Sequence, residues 1–299
     1  MKIPLVKRII QSLFEESILI VQKKYKNMNF SLVPGTTTTP CVSPGFGNGA
    51  PLHSNVTKPA ALVAADFDGD GWIDLASVNL DPNVGWMRNL DGKGTFGNVQ
   101  VVSMLASGAE SLAAGDVDGD GKIDLVSASV YDGKVAWYPN TDGKGTFGEQ
   151  RIVHAFDTVK SSHYDIALGD MDSDGDLDVT VADYAGNAVW VFENTDAKGN
   201  FVKHGGWSEA QPTVVEVGDL NGDGNLDIVG GAHGWTNTEY LTYYLHPGAA
   251  RPRAGTNIKW TSVPVSSVAL GDIDGVSLFL WEFERCSCET IALTRNVYI

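Results

Sequence analysis

The amino-acid sequence predicts an all-β protein built from four-stranded antiparallel units, because three patterns recur along it in a constant order. An acidic loop of the form Asp-x-Asp/Asn-x-Asp-Gly-x-x-Asp occurs four times and once in shortened form, with first Asp residues 50, 54, 49 and 53 positions apart. A Trp-containing alternating segment and a Phe-Gly pair recur between the loops. Units that repeat at such a period bury their apolar faces against their neighbours. We therefore expect a β-propeller whose blades are these units.

The acidic loops have the chemistry of a site for a hard cation. Carboxylates at positions 1, 3, 5 and 9 can gather oxygen ligands around one point, and the Gly at position 6 allows a sharp turn. Without a cation, four carboxylates at one point would repel each other. The alternative is an Asp/Gly-rich turn that holds no metal, and the recurrence of one spacing in four copies favours the ion. The loops span residues 66–74, 116–124, 170–178 and 219–227, and the shortened copy spans 272–275.

The residues around the loops distinguish them from an EF-hand. An EF-hand closes its site with a Glu at position 12 and lies between two helices. Position 12 here is occupied by Ser77, Ser127, Val181 and Gly230. The flanking segments are short apolar runs, which are typical of buried strands.

The order of motifs predicts four strands in each unit. The first strand leads into the acidic loop and the second leaves it; the third carries the Trp segment, and the fourth follows the Phe-Gly pair. Alternating aromatic and aliphatic residues before Asp-Gly turns indicate hairpins. We expect the Trp and Phe side chains to be core wedges between units rather than cages for a ligand. The Trp segments are 84–89, 135–140 and 189–194, their turns are 91–94, 142–145 and 196–199, and the Phe residues are Phe46, Phe96, Phe147 and Phe201.

The composition limits the classes of partner. The 299-residue chain carries a formal charge of −16, and much of this charge lies in the acidic loops. Four bound Ca²⁺ ions would halve it, and the remaining negative charge argues against nucleic acid or an anionic membrane as a partner. The apolar run at 18–21 is too short for an integral membrane span and does not make a clear signal peptide.

The repeats divide the chain into three parts. Residues 1–44 are predicted to form a helix and an irregular tail, 45–275 the propeller repeats, and 276–299 an atypical tail. Two arrangements remain open at the ends. In one, 45–55 supplies an outer strand while 277–283 and 289–294 supply the second and third strands of a fifth blade, which brings Phe46 beside Trp281 or Phe283 and closes the ring. In the other, the chain is a truncated, open arc of about four blades.

The chain resembles the FG-GAP/VCBS repeat family, the calcium-loop β-propellers whose fold is shared with the integrin α-subunit head. The resemblance rests on the Gly-Asp pairs that open the loops, on the Asp-Leu pairs at 74–75 and 124–125, and on the Phe-Gly pairs, and it covers about 45–275. It implies a propeller stabilised by about four Ca²⁺ ions, located outside the cell or at the cell surface, and used for cell adhesion or for binding carbohydrate or protein.

The resemblance also implies a set of metal ligands by motif position. The side-chain ligands are Asp66, Asp68, Asp70 and Asp74; Asp116, Asp118, Asp120 and Asp124; Asp170, Asp172, Asp174 and Asp178; and Asp219, Asn221, Asp223 and Asp227. Position 7 supplies a backbone carbonyl from Trp72, Lys122, Asp176 and Asn225.

The predicted function is that of a non-catalytic binding module for carbohydrate or protein. In a four-stranded blade the loops between second and third strands lie on the face opposite the acidic loops, and loops on a rigid scaffold are where binding residues collect. The candidates there are Tyr131, Asp132, Asp183, Tyr184, His233 and Trp235. The sequence has no nucleophile elbow, His-Glu-x-x-His helix, Cys/His zinc spacing or phosphate loop. The alternatives are a propeller hydrolase or lyase whose residues converge only in space, and a structural repeat fragment of a larger extracellular protein.

Overall fold

The computed structural model describes residues 59–79, 83–157, 164–208, 211–232, 239–246, 256–260, 268–272, 278–285 and 291–298. The regular elements within these ranges are β-strands, which form five antiparallel sheets. Among these residues, none belongs to a helix with the length and apolarity needed to cross a membrane.

Each sheet takes its strands in chain order, and we number the sheets as blades 1 to 5. Blade 1 contains β1 (Pro59–Ala65), β2 (Asp74–Asn79), β3 (Asn83–Met87) and β4 (Gln100–Ser103). Blade 2 contains β5 (Ala109–Gly115), β6 (Asp124–Ser129), β7 (Lys134–Tyr138) and β8 (Arg151–Ala155). Blade 3 contains β9 (Tyr164–Gly169), β10 (Asp178–Asp183), β11 (Ala188–Asn194) and β12 (Phe201–Ser208). Blade 4 contains β13 (Pro212–Gly218), β14 (Asp227–Ala232), β15 (Glu239–Tyr244) and β16 (Thr256–Trp260), and blade 5 contains β17 (Val268–Asp272), β18 (Leu278–Arg285) and β19 (Ile291–Tyr298).

The blades are arranged side by side through their first strands. Strand β1 lies against β5, β5 against β9, β9 against β13, and β13 against β17. The acidic loop of each four-stranded blade joins its first and second strands. Four-stranded meanders that repeat around their innermost strands are the architecture of a β-propeller. The predicted fold class is therefore confirmed.

The second strand of a central blade is buried on both faces. All six residues of β6 and of β10 are buried, whereas the outer strand β8 has no fully buried residue. A strand covered on both sides needs no polar alternation, and β6 accordingly runs as Asp-Leu-Val-Ser-Ala-Ser. Its small Ser and Ala residues allow the neighbouring blades to approach closely.

The aromatic residues of the repeats pack between blades, as predicted. Trp86 of blade 1 lies edge-to-face with Phe147 of blade 2, with ring centroids 6.4 Å apart. Phe67, from the acidic loop of blade 1, completes the cluster at 6.1 and 6.0 Å from the other two rings. Edge-to-face rings at these distances attract each other beyond the burial of their area. In the next interface Trp137 and Phe201 belong to one core cluster in the same way.

Each of these Trp rings also fixes a glycine in the turn of the next blade. A Cβ atom built on Gly145 would lie 2.0 Å from the Trp86 ring, and one on Gly199 would lie 2.1 Å from the Trp137 ring. Both glycines have positive φ angles, +82° and +83°. The turn therefore requires Gly twice over, for its backbone conformation and for the approach of the ring.

A carboxylate ties three first strands together near the centre of the molecule. Asp165 on β9 accepts a hydrogen bond from Ser111 Oγ on β5 at 2.8 Å and another from the backbone N–H of Val215 on β13 at 3.0 Å. Its enclosure between these strands raises its pKa, against the effect of the hydrogen bonds. Because Ser111 and Val215 lie on the two flanking blades, Asp165 links blades 2, 3 and 4.

A second carboxylate, Glu216 on β13, lies in the field of Asp165. Burial, with a further contribution from the charge of Asp165, raises the pKa of Glu216 from 4.5 to about 7. No basic side chain is among the causes of either pKa shift, so neither acid is stabilised in its charged form by a nearby cation among these causes. Near neutral pH Glu216 is protonated in part.

Blade 1 differs from the others on one side. Leu62 on β1 is 55% exposed, whereas Leu112, Ile166 and Val215 at the same position of the next three blades are buried in clusters that include residues of the preceding blade. Strands β18 and β19 lie in the segment expected to supply two strands of a fifth blade, and they pair with β17 and with each other. The predicted N-terminal tail at 1–44 and the proposed closing segment at 45–55, with Phe46, lie outside the described residues. Ring closure stays a prediction.

The fit of Trp137 on Gly199 can be tested by adding one methyl group. We expect Gly199→Ala to lower the free energy of unfolding by about 2 to 4 kcal/mol, because it combines a strained left-handed backbone with a clash against the ring. Gly94 is the matched control, since it has the same place in the blade 1 turn and a φ of +92°, but no atom of the described chain within 4 Å of its added Cβ. Gly94→Ala should carry only the backbone strain of about 1 kcal/mol. If urea denaturation shows equal losses of stability for Gly199→Ala and Gly94→Ala, the Trp137 ring does not pack tightly on Gly199.

The raised pKa of Glu216 predicts a specific pH dependence. Its folded-state pKa of about 7 lies above its ordinary 4.5, so folding takes up a proton between these values. Stability therefore falls as the pH rises through this range and remains lower above it. Glu216→Gln should remove this fall and be more stable than the parent by roughly 1 to 2 kcal/mol at about pH 8, with little difference at about pH 4.

Urea denaturation in saturating calcium, at several pH values, measures this difference. Glu149→Gln, at an exposed position of blade 2, is the control and should follow the parent throughout. If the stabilities of Glu216→Gln and the parent remain parallel from about pH 4 to about pH 8, Glu216 does not titrate in this range.

Candidate metal centres

The four complete acidic loops fold by one hydrogen-bond pattern. In the second loop the carboxylate of Asp116, at position 1, accepts the backbone N–H groups of Asp120 at 3.0 Å and Gly121 at 2.8 Å. The other three loops repeat both bonds. Gly121 has a φ of +82°, which is why position 6 is glycine. The loop backbone is thereby wrapped around its first carboxylate.

The Asp at position 9 is a buried anchor. Asp124 accepts the backbone N–H of Val117 at 3.1 Å, the backbone N–H of Asn140 at 2.7 Å and the indole N–H of Trp137 at 3.0 Å. Asp74, Asp178 and Asp227 each accept the two corresponding backbone groups. One carboxylate therefore joins the acidic loop to the end of the third strand.

Burial sets the charge state of these anchors. It raises the pKa of Asp124 to about 6 and that of Asp178 to about 7, despite the hydrogen bonds that favour the ionised form. The neighbouring loop carboxylates raise both pKa values further. A cation in the loop would act in the opposite direction and keep the anchors ionised.

Three of the loops bring carboxylate oxygens close enough to share an ion. One oxygen from each of three Asp residues lies within 4.8 Å of the others in three groups: Asp66, Asp68 and Asp70; Asp116, Asp118 and Asp124; and Asp170, Asp172 and Asp178. In the second loop Asp118 Oδ1 is buried and has no hydrogen-bond partner among the described residues. A buried acceptor without a donor is unfavourable unless something positive occupies the space before it. The all-oxygen donor set and this oxygen fit a hard cation such as Ca²⁺.

The remaining predicted ligands occupy the loops in a less uniform way. In the fourth loop Asn221 donates its side-chain N–H to Asp223 Oδ2 at 3.0 Å, and Asp219 accepts the N–H of Gly222 at 2.8 Å. Two of the side chains at position 7 cover the turn of their own blade, Trp72 over Gly92 and Lys122 over Gly143. The carbonyl ligands predicted at Trp72, Lys122, Asp176 and Asn225 stay predictions, as does the use of Asp120 and Asp174.

Two basic residues reach the loops, and the sequence motifs did not predict their role. Arg88 pairs through Nε with Asp68, and its Nη2 donates to Asp70 Oδ2 at 2.8 Å. The hydrogen bond from Arg88 lowers the pKa of Asp70, whereas burial holds the pKa of Asp68 above its ordinary value. Lys122 pairs with Asp120 within the second loop. One feature of the sequence could have predicted the role of Arg88: it is a basic residue directly before Asn89, at a position where the next two repeats have Pro139 and Glu193.

A recurring asparagine connects the third strands of blades 2 and 3 to the acidic loop of the preceding blade. Asn140 of blade 2 donates through Nδ2 to the carbonyl of Phe67 in blade 1, at 2.8 Å. Asn194 of blade 3 donates in the same way to the carbonyl of Val117 in blade 2, at 2.8 Å. Both are buried at the end of the third strand. The acidic loops and the following turns therefore share one face, as predicted from the order of the strands.

The opposite face carries an exposed aromatic ring on a rigid base. Tyr131, in the loop between β6 and β7, is 61% exposed. Its ring covers Gly108, where a Cβ atom would lie 2.6 Å from the ring. Its backbone N–H donates to the carbonyl of Ser107 at 3.1 Å, and the N–H of Val130 donates to that of Gly108 at 2.9 Å. The ring is thus supported by the connection that enters β5.

The other residues predicted on this face occupy different environments. Asp132 pairs with Lys134 at 2.9 Å, while its Oδ1 is buried without a hydrogen-bond partner in the described chain. Asp183 is only 3% exposed, and its oxygens accept the N–H of Gly186 at 2.9 Å and the indole N–H of Trp190 at 3.2 Å. Asp183 therefore holds the conformation of its loop through these buried hydrogen bonds. Tyr184 is partly exposed, and His233 and Trp235 lie outside the described residues.

Together the fold and the loops define a class of protein, a β-propeller whose blades carry acidic loops suited to a cation. The pattern of the FG-GAP-like repeat matches residues 66–127, 116–181 and 170–230, which together cover more than half of the chain. The chain belongs to the FG-GAP-like repeat family. No curated protein sequence matches it.

Solved structures with a similar fold include two lectins. A lectin from Agrocybe aegerita, described for its recognition of non-reducing terminal N-acetylglucosamine, is 18% identical with a TM-score of 0.52, over 79% of this chain and 66% of that one. The BP39L lectin from Burkholderia pseudomallei is 18% identical with a TM-score of 0.54, over 80% of this chain and 70% of that one. BBS1N, in complex with ARL6DN, is 10% identical with a TM-score of 0.51, over 83% of this chain and 71% of that one. At these identities the likeness establishes the fold alone, and this chain spans about two thirds of the Agrocybe lectin.

The two kinds of loop carboxylate can be separated by mutation. Asp124→Ala leaves three buried N–H donors unpaired, so we expect a loss of about 3 kcal/mol in unfolding free energy already in EDTA, and a larger loss in calcium because Asp124 also belongs to the oxygen cluster. Asp118→Ala removes a carboxylate whose buried Oδ1 has no donor and whose one backbone hydrogen bond comes from the exposed Asp120, so it should change stability in EDTA by no more than about 0.5 kcal/mol. In calcium it should remove stabilisation of about 2.7 kcal/mol at a hundredfold excess over the dissociation constant. Thermal melts of both variants in EDTA and in calcium measure these losses. If Asp118→Ala lost as much stability in EDTA as in calcium, Asp118 would not be a calcium ligand.

Proposed function

We propose that this chain is a calcium-binding propeller that acts as a non-catalytic binding module for carbohydrate. The observation that carries the ligand assignment is the exposed ring of Tyr131, held over Gly108 on the face opposite the acidic loops. The calcium assignment rests on the oxygen clusters and on the buried acceptor of Asp118.

Calcium has a structural role in this proposal. The side-chain ligands are the loop carboxylates at positions 1, 3, 5 and 9, with Asn221 in the fourth loop. A bound Ca²⁺ neutralises the carboxylates and connects the two ends of each loop. The position 9 Asp then holds the third strand in register, and the recurring Asn carries this order to the preceding blade. About four ions stabilise the scaffold from one face and leave the other face for the ligand.

The surroundings of Tyr131 suit a sugar. A rigid, exposed phenol ring offers a flat apolar surface to the C–H face of a pyranose and a hydroxyl group at its edge. The neighbouring Asp132 has one oxygen without a donor and the other paired with Lys134. The ion pair of Lys134 with Asp132 Oδ2 is partly exposed and supplies a donor and an acceptor for sugar hydroxyl groups. The similarity of the fold to two lectins supports the same assignment.

A protein ligand is the second candidate, and it has its own observation. Met104 and Leu105, in the connection that also supports Tyr131, are 58% and 64% exposed. Exposed apolar residues beside an aromatic ring favour a protein partner, and one solved structure of similar fold is that of BBS1N in complex with ARL6DN. In either case we place the protein outside the cell or at the cell surface, in a role such as cell adhesion.

A glycan array probed with the labelled chain tests the proposal. In calcium we expect binding to a restricted set of glycans, and EDTA should abolish it by loosening the scaffold. Tyr131→Ala should weaken binding at least about tenfold while the melting temperature stays the same, because the ring is exposed and its loss leaves no cavity. Leu90→Ala is the matched control, since Leu90 is 53% exposed in a turn on the acidic-loop face. Binding that survives Tyr131→Ala, or an array without bound glycans, would reject the carbohydrate assignment.

A further inference from the structure

The residue directly before the one whose backbone N–H is held by the anchoring Asp, at the end of the third strand, differs in each blade. It is Arg88 in blade 1, Pro139 in blade 2, Glu193 in blade 3 and Leu245 in blade 4. Its position is constant, because the next residue in each case donates its backbone N–H to the anchoring Asp of the loop. A side chain at this position is therefore adjacent to the acidic loop of its own blade. The four blades place an arginine, a proline, a glutamate and a leucine there.

In blade 1 the arginine spans the loop. Its Nε pairs with Asp68 at position 3, and its Nη2 donates to Asp70 at position 5 over 2.8 Å. The guanidinium is planar and remains charged, so it holds two carboxylates in a fixed geometry. These are two of the carboxylates on which a divalent ion in this loop would depend.

The second loop has a basic residue as well, but its geometry is different. Lys122 comes from position 7 of the loop itself and pairs with Asp120. The clustered oxygens of Asp116, Asp118 and Asp124 do not include Asp120. Asp118 Oδ1 keeps no donor among the described residues, whereas Asp68 at the same position is paired with Arg88. The lysine thus leaves the cluster of the second loop open.

The third loop is the most negative of the four. It contains five carboxylates between 170 and 178, and a sixth, Glu193, lies at the end of the third strand. The charge of Glu193 contributes to the raised pKa of Asp172, after burial and Asp174. Glu193 itself lies 2.7 Å from His204, at the outer side of the blade. None of the ion pairs found in the described chain involves a carboxylate of this loop.

We propose that Arg88 is a tethered cation that occupies the first acidic loop, so that this loop keeps its fold without a divalent ion while the second and third loops require one. The inference rests on the proposed binding of calcium by the acidic loops, and it adds that the loops differ in their affinity for calcium. To enter the first loop, calcium must displace two charge-assisted contacts that are held by the chain itself. Its affinity there is lower than in the third loop by about tenfold or more.

Hydrogen exchange of the 299-residue chain, followed by mass spectrometry in calcium chloride and in EDTA, tests this inference. Peptides that cover 116–124 and 170–178 should exchange at least about tenfold faster in EDTA, because their amides lose the ion that orders the loop. Peptides that cover 66–74 should exchange at nearly the same rate in both conditions. In Arg88→Gln, 66–74 should become calcium-dependent like the other two segments, and equilibrium dialysis should show tighter binding at one site.

Lys122→Gln is the matched control, since it removes a paired cation from the second loop and leaves the contacts of Arg88 with Asp68 and Asp70 in place. It should leave the calcium response of 66–74 as in the parent. If all three segments of the parent respond equally to EDTA, Arg88 does not replace the ion and the inference is overturned, while calcium binding stands. If no segment responds, the proposed calcium function itself fails. The parent measurement decides between these outcomes even if Arg88→Gln does not fold.

Discussion

The carboxylate at position 9 of each acidic loop is the contact on which the blade depends. Asp124 accepts a hydrogen bond from the backbone N–H of Val117, in its own loop, and another from the backbone N–H of Asn140, at the end of the third strand. It does so in a buried site, where unpaired donors are unfavourable. The loop and the third strand are far apart in sequence, and this one side chain fixes their separation. The hairpins of the blade are thereby locked at the end where the cation clusters lie.

The recurring asparagine extends this order from one blade to the next. Its backbone N–H is held by the anchoring Asp, and its side chain donates to the preceding blade. On the same interface the Trp ring packs against the next turn, where only glycine fits. Polar and apolar contacts therefore act in one direction around the propeller. A change in a loop carboxylate reaches the neighbouring blade through a short chain of named contacts.

Periodic sequence patterns predicted the blades, the loops and the Trp wedges because each is a local motif with a repeated spacing. They did not predict contacts that occur once. Asp165 interrupts an apolar strand, and only the side-by-side packing of β5, β9 and β13 shows that it bridges Ser111 and Val215. Asp183 looked like a loop residue open to a ligand, but the neighbouring Trp190 and the backbone of its loop use both of its oxygens. Register and burial decide such cases, and neither can be taken from one sequence.

The direction of the asparagine contacts has a consequence for how the chain folds during synthesis. Asn140 and Asn194 each reach back to a blade that was made earlier, and Phe147 completes an aromatic cluster begun by Phe67 and Trp86. A blade that has just left the ribosome therefore has an unfinished interface until about fifty further residues have followed it. Nearest-neighbour contacts of this kind make folding a sequential growth process. Each new blade packs on the blade that was translated before it. The interfaces can therefore close in the order in which the blades are translated.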